Sequence, residues 1–142
     1  MSQRIMIVED DPMNAKLFQL VLTRKGHYVI EITEDPARVI EEIKAARVDL
    51  VIMDVSLSNS LWDGVAVDGL EICRRLKSNP ETNRVPILLA TAHAMKGPRE
   101  RFLQDSGADD YISKPIVSAD ELISRIRALL EKGANAAPHT PR

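Results

Sequence analysis

The sequence predicts one α/β domain, a parallel sheet with helices on both faces, and three observations carry that expectation. Apolar strand-like runs alternate with helical stretches five times along the chain, the order that builds a parallel sheet by crossover connections. The third of these runs, Leu50 to Met53, is apolar at every position, as a strand covered on both faces must be. Finally, 142 residues with 44% hydrophobic and 28% charged side chains are enough for one domain with a real core, in the ordinary balance of a globular chain.

Each element has its own signal. Arg4 to Val8 reads as a buried strand, and Asp11-Pro12 as an N-cap with proline at the first helical position. The first helix carries Leu17, Phe18, Val21 and Leu22 on one face, with Gly26 as its stop. Tyr28 to Thr33 alternates apolar and polar, as an edge strand does. Asp35-Pro36 repeats the cap signal, and Ile40 and Ile43 mark the buried side of a second helix ending near Ala46. After the third strand, Gly69 to Lys77 forms a helix with Leu70, Ile72, Cys73 and Leu76 toward the core, broken by Ser78-Asn79-Pro80. Ile87 to Ala90 is the fourth strand. Pro98 opens a fourth helix whose large apolar residues before Gly107 are Phe102 and Leu103; so thin a stripe predicts a weakly anchored element. Asp110 to Ser113 is a short fifth strand, and Ser118 with Glu121 is a capping box for a last helix carrying Leu122, Ile126, Leu129 and Leu130. From Gly133 the periodicity stops, which sets the expected boundaries: a domain over 1–132 and a disordered tail over 133–142.

Composition excludes several classes of function. A net charge of -2 gives no electrostatic footing for nucleic acid or an anionic membrane surface. No apolar run approaches the roughly 20 residues that span a bilayer, and Met1-Ser2-Gln3-Arg4 leads straight into a strand without a signal peptide. The expected location is cytoplasmic. Cys73 is the sole cysteine, which excludes an internal disulfide and any multi-cysteine metal site.

The chemistry lies at the strand ends. Ile5-Met6-Ile7-Val8 runs into Glu9-Asp10-Asp11, and Asp49-Leu50-Val51-Ile52-Met53 into Asp54. Ile87-Leu88-Leu89-Ala90 runs into Thr91, and Tyr111-Ile112-Ser113 into Lys114-Pro115. Taken singly, Asp54 is a turn former, Thr91 a strand-end threonine and Lys114 a solvated lysine. Together they place acid, acid, hydroxyl and ammonium at the C-terminal strand ends, where such sheets bind ligands. Three carboxylates in one place repel unless a cation intervenes, and hard oxygen ligands without a His or Cys cluster favour Mg²⁺. A carboxylate among such groups can also be a covalent nucleophile. Asp11 is assigned to the helix cap.

This set, in this order, resembles the receiver domain of two-component response regulators over residues 4 to 131. The resemblance implies a flavodoxin-like five-stranded sheet of order 2-1-3-4-5, with Asp54 as phosphoacceptor. It implies Mg²⁺ bound directly by Asp10 and Asp54, through water by Glu9, and by the backbone carbonyl of Ser56. Lys114 and Thr91 would serve the phosphoryl oxygens, across a cis Lys114-Pro115 bond. Thr91 and Tyr111 would form the switch, remodelling the face made by the fourth helix, fifth strand and last helix. Ser56 and His93 would line the path of the attacking water and tune phosphoryl lifetime. His27 reads as structural, His139 as part of the tail, and Lys96, Arg99 and Arg101 as a solvated helix face.

One stretch departs from the family. Asp54-Val55-Ser56-Leu57 is followed by Ser58 where the family usually has proline, and a lengthened loop over 57–67 follows. It holds two Asp-Gly pairs, of which Asp68-Gly69 is the better match because Leu70-Glu71-Ile72 continues as helix. Trp62 packs this loop down, anchors a partner as an interface hot spot, or sits exposed. The expected function is a stand-alone receiver, without an output domain, phosphorylated by a sensor histidine kinase or a histidine phosphotransfer protein. It would act by binding a downstream protein that the sequence does not name or by passing the phosphoryl group on in a phosphorelay, and could pair with a second copy through the fourth helix–fifth strand–last helix face. Two alternatives stand beside it. One is a pseudo-receiver that only binds partners. The other is an aspartyl-nucleophile phosphohydrolase, disfavoured because Ser56 stands where such enzymes place a second Asp.

Overall fold

Five strands hydrogen-bond into one parallel sheet in the computed structural model, which describes residues 2–58, 60–92 and 99–136, with only the backbone at 99, 100, 102 and 134–136. In chain order the elements are β1 (Arg4–Val8), α1 (Pro12–Arg24), β2 (Val29–Thr33), α2 (Pro36–Lys44), β3 (Leu50–Asp54), β4 (Leu61–Trp62) and β5 (Val65–Ala66). Then follow α3 (Gly69–Ser78), β6 (Ile87–Thr91), α4 (Arg99–Ser106), β7 (Asp110–Ser113) and α5 (Ala119–Ala136). The sheet order is β2-β1-β3-β6-β7 with every neighbour parallel. Counting β6 and β7 as its fourth and fifth strands, this is the expected 2-1-3-4-5.

Alternation along the strands divides the core in two, since successive side chains leave a strand on opposite faces. Ile5, Ile7, Leu50, Ile52, Leu88 and Ala90 pack with Phe18 and Leu22 of α1 and Leu122 and Ile126 of α5. Met6, Val8, Val51, Met53, Ile87 and Leu89 pack with Val39 and Ile43 of α2 and Ile72, Cys73 and Leu76 of α3. Burying each large aliphatic side chain is worth about 1.5–3 kcal/mol, so both faces hold β1, β3 and β6 in register. Four helices start on side-chain caps: Asp11 accepts from the Met13 N–H at 2.9 Å, Asp35 from Ala37 at 3.0 Å, Asp68 from Glu71 at 2.9 Å and Ser118 from Glu121 at 3.0 Å. Among the described residues no helix is long and apolar enough to cross a membrane.

Four local expectations need correction. Leu17 does not join the core; with Met13 (82% exposed) and Leu20 it forms an outward apolar stripe on α1, while Ala15, Phe18 and Leu22 face the sheet. Ile32 on the edge strand β2 is likewise exposed. At the end of α1 the positive φ falls on His27 (58°), not Gly26; a Cβ on Gly26 would overlap the Tyr28 ring, so that glycine makes room for an aromatic. Finally, α5 continues through Gly133 to Ala136, because one glycine costs a helix only about 1 kcal/mol against alanine. Residues 137–142 of the expected tail, and Lys96 and the Gly97-Pro98 entry to α4, lie outside the described residues.

The lengthened loop is a hairpin. Trp62 pairs with Val65 and Leu61 with Ala66 across Asp63-Gly64, whose φ values of 52° and 81° are both positive, as a two-residue hairpin turn of this hand demands. Leu57 and Val67 plug its two ends into the core, and the Ser60 hydroxyl donates to the Glu34 carbonyl at 2.6 Å. Trp62 is half-buried beneath the Arg75 guanidinium, 5.1 Å from the ring centroid. It packs the loop down.

The other Asp-Gly pair has a different task. Asp68 caps α3, and Gly69 brings that helix against the end of β3 so closely that a Cβ would overlap the Asp54 carbonyl group. No rotamer relieves a clash with backbone. Gly69→Ala is expected to cost about 1–3 kcal/mol, the usual penalty of overpacking, read as a lowered urea midpoint. An unchanged midpoint would mean that α3 can move away from β3 freely.

Candidate functional site

Strand register assembles the site. Val8 stands level with Met53 and Ala90 with Asp54, so Glu9 and Asp10 emerge from β1 beside Asp54, and Thr91 ends β6 one residue further on. Thr91 is level with Ser113, and the Lys114 N–H donates to the Thr91 carbonyl at 2.7 Å. That bond directs the next side chain back over the sheet end. The Lys114-Pro115 bond is cis.

The Lys114 ammonium donates to Asp54 Oδ1 at 2.9 Å and to Glu9 Oε1 at 3.2 Å. All three side chains are almost sealed, at 8%, 3% and 1% exposure for Lys114, Asp54 and Glu9. The Ser56 N–H adds a second donor to Asp54 Oδ1 at 3.1 Å. Asp10 lies at the rim, and its Oδ2 accepts from both the N–H and the hydroxyl of Ser58, each at 3.0 Å. Carboxylate oxygens of Glu9, Asp10 and Asp54 lie within 4.8 Å of one another.

The charges do not balance: three acids face one ammonium. Burial, the charge of Asp54 and a hydrogen bond shared with it push the Glu9 carboxyl up to about 7. Burial works against the Lys114 ammonium too, but the hydrogen bond and charge of Asp54, with those of Glu9, outweigh it and hold it above its ordinary value. A pocket whose crowded acids raise the proton affinity of Glu9, lined by hard oxygen donors, suits a small divalent cation. The residues present fit Mg²⁺.

The other residues singled out in the sequence lie as follows. Thr91 is buried at the end of β6. Tyr111 sits level with Leu89 and packs half-buried against the α2–α3 side of the core. Ser56 is exposed in the turn after β3, and His93 lies outside the described residues. Asp11 caps α1. In the sequence Ser58 stands out only as a missing proline, and nothing local announces its grip on Asp10. The hairpin did carry a local signal, Trp62-Asp63-Gly64-Val65.

Comparison with known proteins agrees with this geometry. A family model described as the response regulator receiver domain matches residues 5–127. The polar-differentiation response regulator DivK of Brucella anthropi is 36% identical over 130 residues, covering 92% of this chain and 98% of that protein. The receiver domain of the sensor histidine kinase PA1611 from Pseudomonas aeruginosa, solved with a magnesium ion coordinated in its active-site cleft, superposes with a TM-score of 0.73 at 29% identity, covering 92% of this chain and 99% of that one. A CheY-like receiver domain protein from Methanospirillum hungatei shares the fold at a TM-score of 0.74 and 22% identity, with 95% and 98% covered. With the family model matching residues 5–127 and a relative 36% identical over 92% of the chain, the chain belongs to the response regulator receiver family.

Proposed function

We propose that this receiver acts as a stand-alone phosphorylation switch, with Asp54 as the acceptor and a phosphohistidine on a sensor kinase or phosphotransfer protein as the donor. The observation that carries it is the sealed arrangement of Asp54, Glu9 and Lys114 beside Asp10. In the transfer, an Asp54 carboxylate oxygen forms the new P–O bond while the P–N bond to the donor imidazole breaks and its electron pair stays on that ring. Both recorded donors to Asp54, Lys114 Nζ and the Ser56 N–H, go to Oδ1, and we assign Oδ2 as the attacking atom. Lys114 holds the carboxylate in place and then serves a phosphoryl oxygen, as a preorganised donor does where charge is being moved. Asp10 and Asp54 would hold Mg²⁺ directly, with Glu9 acting through water and the Ser56 carbonyl completing the protein's share. Bound there, the cation supplies neutralisation of the charge shared by acceptor and incoming phosphoryl group.

The readout is protein–protein. Thr91 sits one residue beyond Asp54 in the sheet and Tyr111 lies on the neighbouring strand, so a Thr91 drawn toward a phosphoryl group opens space that Tyr111 can fill. That exchange would reshape the face of α4, β7 and α5, which then meets a downstream protein or a second copy of the chain. Ser56, at the mouth, would tune the lifetime of the phosphoryl group; His93 keeps the same proposed role. The DivK relative is itself named a response regulator in polar differentiation, which supports control of a protein partner over metabolic catalysis.

Two measurements check this reading. Intact mass after incubation with a small phosphodonor and Mg²⁺ is expected to show a single phosphoryl adduct, lost in Asp54→Ala and in chelator. No adduct under any condition would favour the pure interaction module. The second is stability against pH without metal. Glu9 binds its proton more tightly folded, at about 7, than at the ordinary 4.5, so its contribution is fully present below pH 4.5 and is lost as pH rises through 7. The urea midpoint in chelator is therefore expected to fall between pH 4.5 and about 7, and Glu9→Gln to flatten that fall. An equal slope in the variant would place the proton elsewhere.

A further inference from the structure

Ser58 occupies a place that neither the fold nor the acid cluster requires to be polar, yet both its donors converge on one atom. Its N–H and its hydroxyl each reach Asp10 Oδ2 at 3.0 Å. Proline, the residue that the family usually carries there, has neither donor. We propose that Ser58 is the positioning residue for Asp10: it fixes that carboxylate for Mg²⁺ and ties the metal centre to the β4–β5 hairpin. This rests on the reading of Glu9, Asp10 and Asp54 as a Mg²⁺ site.

Three observations support it. While Ser58 grips Asp10, that carboxylate still offers an oxygen within 4.8 Å of those of Glu9 and Asp54. Two donors on Oδ2 use that oxygen's two lone pairs and leave Oδ1 for a cation, with the side chain's rotational freedom already given up before metal arrives. Ser58 is itself held. Leu57 before it is buried in the core, and beyond it Ser60 is clamped between the Glu34 carbonyl at 2.6 Å and the Val67 N–H at 3.1 Å. The Trp62 ring then rests beneath Arg75. Asp10, at the rim, is the least buried of the three acids, and Ser58 adds to its orientation what fuller burial supplies for Glu9 and Asp54.

The test is Mg²⁺ titration of the unphosphorylated full chain by calorimetry, comparing wild type with Ser58→Ala, Ser58→Pro and Ser58→Thr. Loss of a partner that orients a metal ligand typically weakens affinity by about tenfold or more. Ser58→Pro, lacking both donors, is expected to lose at least that much; Ser58→Ala is expected to lose less, and Ser58→Thr to keep wild-type affinity. Urea midpoints in chelator are expected to match wild type in the Ala and Thr variants, which separates positioning from folding; should the Pro variant unfold, the Ala–Thr pair decides alone. Unchanged affinity in Ser58→Ala and Ser58→Pro overturns the inference while leaving the metal site standing. Tighter binding overturns it too, because the contact would then compete with the cation. A wild type that binds no Mg²⁺ overturns both this inference and the metal reading beneath it.

Discussion

Everything at the business end of this protein follows from putting three carboxylates where, among the described residues, Lys114 is the one lysine that reaches them. Two of the acids are sealed from water with it, and breaking a buried pair by removing one partner leaves a charge that water cannot rescue. The ion pairs elsewhere that were built from exposed side chains, such as Lys25 with Asp120 at 52% and 89% exposure, matter far less, because solvent screens them to about 0–1 kcal/mol. The centre is thus held by its own electrostatics, and it is held short of positive charge. A shortage of that kind makes a site receptive to a cation and, with the cation, to a phosphoryl group.

Such a shortage is tolerable only on a rigid base. The strands that deliver Glu9, Asp54 and Thr91 are buried almost completely on both faces, so the acids cannot relax apart by bending their supports. Gly69 tightens the arrangement by seating the start of α3 on the carbonyl of Asp54 itself. Lys114 is fixed from the other side through the carbonyl of Thr91. Repulsion that would otherwise push the acids apart is instead held in the site, and it raises the proton affinity of Glu9.

The sequence made this part legible because each contribution is local. A capping Asp before proline, an apolar run ending in an acid and a lysine before proline each read correctly from a few neighbouring letters. Helix facing was harder. Leu17 fits the helical period of Phe18, Val21 and Leu22, yet the sheet needs only a narrow stripe of α1, and Leu17 falls on its far side with Met13 and Leu20. Gly133 looked like a stop because glycine is a weak helix former, but the turns before it are anchored by Leu122, Ile126, Leu129 and Leu130 and carry the helix past it. The grip of Ser58 on Asp10 joins residues 48 apart in a loop of irregular backbone. No periodicity announces such a contact.

The hairpin shows how these scales combine. Its turn is local chemistry, Asp63-Gly64, and could form in any chain; its strands of two residues each are far too short to persist alone. Its stability therefore comes from the points where it touches the domain: Leu57 and Val67 in the core, Ser60 on the loop after β2, and Trp62 under an Arg75 that Glu71 holds in turn at 2.8 Å. Ser58 lies within that anchored span and spends its two donors on a carboxylate of the acid cluster. A segment whose order depends on being seated, and whose seating includes Asp10, cannot shift without moving an acid of the site. The residues of this loop are therefore part of the charge balance at the strand ends.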